Sequence, residues 1–144
     1  MPRKTDSNNP ADWLAIAETE LACVQVLTAQ TIGYEMCQSK LAEVVEKALK
    51  AELIRAGWFL EKTHDLERLR KELRTRDPSL ADGLQSLCES LAEVYFTGRY
   101  PGFDLDDPDW TDLAAKLEQA ASLLDIVRAR LGGTGNDPNP GTGS

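Results

Sequence analysis

The stretch "TDLAAKLEQAASLLDIVRARL" (residues 111–131) decides the fold class. Leu113, Leu117, Ala120, Leu124, Val127 and Leu131 recur at intervals of three and four. That interval returns side chains to one face of a helix, whereas a strand would alternate with a period of two. Just upstream, Asp107 or Asp109 offers a carboxylate to cap such a helix. Just downstream, "GGTGNDPNPGTGS" (residues 132–144) has the composition of a disordered tail.

The same period runs through the rest of the chain. "NPADWLAIAETELACVQVLTAQ" (residues 9–30) opens with Asn9 as an N-cap, Pro10 at the first helical position and Asp12 in the first turn. Leu14, Ala17, Leu21 and Val24 form its apolar face, and "TIG" (residues 31–33) marks a break. A second helix, "YEMCQSKLAEVVEKALKAELIRAG" (residues 34–57), carries the stripe Leu41, Val44, Val45, Ala48 and Leu49, with Gly57 at a left-handed cap. Thr63 offers a cap for a short third helix, "HDLERLRKEL" (residues 64–73), with Leu66, Leu69 and Leu73 inward. Asp77 and Pro78 start a fourth, in which Leu80, Leu84, Leu87, Leu91 and Val94 keep the spacing. "TGRYPGFDLDDPD" (residues 97–109) reads as an irregular loop. With no alternating stretch and no internal repeat, these five helices predict an all-α up-and-down four-helix bundle with one additional short helix. The expected organisation is a disordered N-terminus over residues 1–9, a helical domain over 10–131 and a disordered tail over 132–144.

Composition sets limits on function. A chain of 144 residues fits one domain and buries about 68–70% of its unfolded surface. No apolar run approaches the roughly 20 residues that cross a bilayer, and "MPRKTDSNNP" lacks the apolar core of a secretory signal, so cytoplasmic residence is expected. Cys23, Cys37 and Cys88 are odd in number and widely spaced, which predicts free thiols rather than disulfides or zinc. His64 is the single histidine, and no metal or other cofactor is expected. The net charge of −8 disfavours a broad nucleic-acid groove. Charge is nevertheless unevenly spread: seven basic residues face four acidic ones over residues 55–76, while Arg99 is the one basic residue over residues 89–112. A local anion site fits that pattern.

Three places could carry such a site. Lys47 and Lys50 lie three apart, on one helical face roughly opposite the apolar stripe; they read either as point charges for a phosphate or as a solvated face paired with Glu43, Glu46 and Glu52. In "KTHDL" (residues 62–66), Asp65 suits a helix N-terminus and could hydrogen-bond His64, whereas a protonated His64 would face the positive end of the helix dipole. A neutral His64 that helps order the third helix, and lines a ligand cleft, follows. In "GRYPGF" (residues 98–103), Pro101 biases Tyr100 toward an extended backbone. Arg99 and Tyr100 then read as an anion and base contact, or Arg99 as a tether to Asp104 or Asp106.

"VEKALKAELIRAG", "KTHDLERL" and "YFTGRYPG", in this order on an all-helical chain, resemble the HEPN domain family (higher eukaryote and prokaryote nucleotide-binding). "DWLAIAETEL" resembles that family's first helix, and the likeness covers residues 12–131. It implies a five-helix up-and-down bundle. It also implies one of two chemistries. Many members are metal-independent ribonucleases, often toxins or defence effectors, with an Arg and a His four to six residues apart near a dimer interface. Others bind nucleotides, RNA or partner proteins and are often encoded beside a minimal nucleotidyltransferase. Here eight residues separate Arg55 from His64, with Gly57 and Thr63 between them, and no histidine follows Arg99. The chain therefore resembles the branch without the nuclease pair. The resemblance implies a non-catalytic nucleotide-binding module in a toxin–antitoxin or defence setting. Its implied partners are a nucleotide, a second copy of the chain and a nucleotidyltransferase, with RNA an open case and no membrane. The alternatives are a divergent ribonuclease and a helical interaction protein docking through Trp58, Phe59, Tyr95 and Phe96.

Overall fold

A computed structural model describes residues 7–97 and 107–133, with the side chains of residues 94–97 and 133 left aside. These residues form six helices and, among them, no strand: α1 (Pro10–Ala29), α2 (Tyr34–Arg55), α3 (Leu66–Arg74), α4 (Pro78–Gly83), α5 (Gln85–Thr97) and α6 (Trp110–Gly133). The protein is all-α.

Asn9 caps α1 as its side chain dictates, Oδ1 accepting from the Ala11 N–H at 3.0 Å. The turn to α2 needs left-handed backbone, found at Thr31 (φ 52°) and Gly33 (φ 69°). The short connection lays α2 back along α1, the two helices that share the most extensive packing. α2 is the central helix and packs against α1, α3, α5 and α6. Its expected stripe of Leu41, Val44, Val45, Ala48 and Leu49 is fully buried, as are Ala51 and Leu53 beyond it. Gly57, at φ 99°, ends the helix in the left-handed region as the sequence predicts. On α6 the residues Leu113, Leu117, Ala120, Leu124 and Val127 are buried, and Asp109 caps the helix by accepting from the Asp112 N–H at 3.0 Å.

Several local expectations change. α3 starts at Leu66, two residues later than its sequence pattern. Asp65 is the cap, its Oδ1 accepting from the Glu67 and Arg68 N–H groups at 3.1 and 3.2 Å. Thr63 Oγ1 accepts instead from the Asp65 N–H at 3.1 Å, a local turn that competes with helix. The expected fourth helix is divided into α4 and α5 at Leu84, whose N–H is shared between the carbonyls of Leu80 and Ala81. Gly83, a poor helix former, stands next to that break. Trp58, read as a contact residue, is a core residue, while its neighbour Phe59 is 91% exposed. Tyr95 and Phe96 have side chains outside those described. Ser7, expected in a disordered lead-in, donates to Asp12 at 2.6 Å and accepts from the Trp13 indole at 2.7 Å. Residues 1–6 and 134–144 lie outside the described residues. No helix among the described residues is long and apolar enough to cross a membrane.

Candidate functional site

Because α2 is surrounded by helices, its polar face is not left to solvent. Glu46 and Lys50, one turn apart, are 4% and 3% exposed and form an ion pair at 2.8 Å. Burial of both charges is tolerated because each satisfies the other and further polar contacts complete the shell. Lys50 Nζ also stands 5.1 Å from the centre of the Trp13 ring, where the face of the indole attracts a cation. Lys47 reaches across to α1 and binds both Glu20 oxygens, at 2.7 and 2.8 Å. The expectation of a solvated lysine face is corrected for Lys50, which is interior.

The loop of residues 58–65 folds back over this face. His64 Nδ1 stands 3.1 Å from both Glu46 oxygens, while its side chain stays 68% exposed. A ring held through Nδ1–H by a carboxylate keeps a defined tautomer and orientation. His64 is thus anchored to α2, and the cap of α3 is supplied by Asp65.

Between α1, α2 and the loop lies a cavity of about 380 Å³. Trp13, Ile16 and Leu60 give it an apolar wall, and Lys47, Lys50, Lys62 and His64 line it with Asp12, Glu46 and Glu61. Its volume falls in the range of about 300–1,000 Å³ typical of small-molecule pockets. Of the six ligand-binding residues expected from the sequence, Lys47, Lys50 and His64 come together here. Asp65 is spent on the cap of α3, and Arg99 and Tyr100 lie outside the described residues. Trp13, Ile16 and Leu60 had no sequence signal of their own, since each also fits an ordinary helix face or loop, and Glu46 was expected only as a lysine partner on a solvated face.

Arg55 does not join His64. Its guanidinium binds Glu52 at 2.7 and 3.0 Å, which raises its pKa further, and it is absent from the cavity lining. Glu52 is 2% exposed and also accepts from Arg130 of α6 at 2.6 Å, while Arg130 holds Asp77 at 2.8 Å. The Arg130 hydrogen bond, followed by the Leu80 N–H, holds the Asp77 carboxyl below its usual value. This second cluster fastens α6 to α2 and to the cap of α4. The thiols are chemically quiet where buried: burial pushes Cys88 up to about 12. Among the described residues, no three Cys, His, Asp or Glu side chains converge on a metal position.

The model of one protein family, the HEPN domain, matches residues 10–130, nearly the whole of the described helices. No curated protein and no solved structure matches the chain.

Proposed function

The chain belongs to the HEPN domain family, and from that premise we propose that it is a non-catalytic nucleotide-binding module, working as a homodimer or beside a nucleotidyltransferase partner. The observation that carries the reading is the cavity between α1, α2 and the loop of residues 58–65. It sets an apolar wall of Trp13, Ile16 and Leu60 against Lys62 and His64, the combination that a base and a phosphate require together. The separation of Arg55 from the cavity supports the non-catalytic part, since the arginine is committed to Glu52.

A thermal-shift titration with ATP, GTP, CTP and UTP tests it, with and without magnesium. A ligand in large excess over its dissociation constant stabilises the folded state by mass action, about 2.7 kcal/mol at a hundredfold excess. The expected result is a saturable rise in Tm that Ile16→Glu abolishes, because Ile16 is 42% exposed and a charge there spoils the wall without entering the core. No rise with any nucleotide sinks the reading. Loss of the rise in Arg99→Ala as well would add Arg99 to the site.

One observation favours another reading. His64 held by Glu46 has the geometry of an oriented general base, which suits a divergent ribonuclease. Cleavage of single-stranded RNA by the wild type, abolished in His64→Ala, would replace the non-catalytic reading. The interaction reading is tested through Phe59, which is 91% exposed. Light scattering is expected to give a dimer that Phe59→Ser weakens.

A further inference from the structure

Resting on the nucleotide reading of the cavity, we infer that it selects nucleoside monophosphates over triphosphates. The argument turns on which charges lining the cavity are already committed. Lys50 is buried against Glu46 at 2.8 Å, and Lys47 binds Glu20 at 2.7 Å. Lys50 cannot turn to a phosphate without stranding the buried Glu46, which is costly, and Lys47 is held by Glu20 and, at 3.8 Å, by Glu43. Glu61 is likewise committed, to Arg68 at 2.6 Å.

Two charges remain. Lys62 lines the cavity from the exposed loop, and among the described residues no carboxylate forms an ion pair with it. Asp12 also lines the cavity, and among the described residues its side-chain partner is the neutral Ser7 hydroxyl at 2.6 Å. A base against Trp13, Ile16 and Leu60 leaves a 5′-phosphate for Lys62, with the exposed His64 beside it on the same loop. A second and third phosphate add negative charge in a cavity whose other lysines, Lys47 and Lys50, are already paired with carboxylates.

Calorimetric titration of the full chain with adenosine, AMP, ADP and ATP, and with the uridine series, tests this with and without magnesium. In the better-bound series the monophosphate is expected to bind about tenfold or more tightly than the triphosphate, whose further phosphates bring charge without a matching cation. Lys62→Ala is expected to weaken AMP about tenfold and adenosine by less than about twofold, closing the gap between them. Lys62→Glu should reverse the preference so that adenosine binds better than AMP. A triphosphate that binds as tightly as the monophosphate overturns the inference and leaves the nucleotide reading standing. Equal weakening of AMP and adenosine in Lys62→Ala overturns the placement of the phosphate. If no nucleoside or nucleotide binds, the nucleotide reading and this inference fall together.

Discussion

Glu46 and Lys50 stand one turn apart on α2, the arrangement that on an exposed helix contributes only a few tenths of a kcal/mol. Here both are interior, so removing one partner strands the other charge without water. Glu46→Ala is expected to destabilise the fold by about 3–5 kcal/mol, whereas Glu46→Leu combined with Lys50→Met should recover most of that loss. Urea unfolding of the single and double variants distinguishes the two outcomes, and a single variant within about 1 kcal/mol of wild type would contradict the burial argument. Cysteine chemistry offers a second check. Cys23 is exposed, while Cys37 and Cys88 are buried, and Cys88 is raised to about 12 by burial. One thiol per folded chain should react quickly with a maleimide at mildly alkaline pH, and the other two only after unfolding. The sequence offered Lys47 and Lys50 on one helix and His64 on a loop as separate candidates, and only the fold brings them to one cavity. The sequence did not disclose that Glu46 is buried, because a Glu–Lys pair four residues apart looks the same on a wet face as in a core. Burial depends on which helices cover α2, and that is not a local property.

At the scale of the element, the apolar stripes of α1, α2 and α6 were legible because each repeats over several turns against one neighbouring surface. Boundaries were less so. The start of α3 is settled by a competition between the Thr63 hydroxyl and the Asp65 carboxylate, and Asp65 wins by satisfying two orphan N–H groups. The break at Leu84 lies inside an unbroken leucine spacing, so periodicity alone joins α4 to α5. Two glycines next to helix ends separate backbone need from mere tolerance. At Gly57, φ is 99°, so Gly57→Ala forces a side chain into a left-handed backbone and is expected to cost about 1 kcal/mol or more despite the open space around it. Gly83 ends α4 without a positive φ, and an added Cβ there meets nothing within 4 Å. Gly83→Ala should therefore stabilise by about 0.4–1 kcal/mol, through the unfolded chain and a firmer α4. Thermal unfolding of both variants should move Tm in opposite directions.

At the scale of the whole molecule, an antiparallel bundle followed from helix count and short connections, but the order in which helices meet did not. Arg130 illustrates the gap. In sequence it is a basic residue in the last turn of α6, well explained by the helix dipole. In the fold it bridges Glu52 of α2 at 2.6 Å and Asp77 at the cap of α4 at 2.8 Å, closing contacts 78 and 53 residues apart along the chain. This makes acid sensitivity a property of the assembled bundle. Asp77 is held below its usual value, chiefly by Arg130 and then by the Leu80 N–H. A carboxyl lowered in the folded state binds its proton more readily once unfolded. Its contribution is therefore present above the unfolded value of about 3.9, and is lost as the pH falls through the lower folded value. In Arg130→Met, Asp77 keeps the Leu80 N–H but loses the guanidinium, so its folded value should move back toward the unfolded one. Glu52 keeps Arg55 and stays paired. The variant is expected to be less stable than wild type at neutral pH, with the difference narrowing as the pH drops from about 5 to about 2. Urea midpoints across that range measure it, and two curves that run parallel would mean that the Arg130 bridge does not set the acid response.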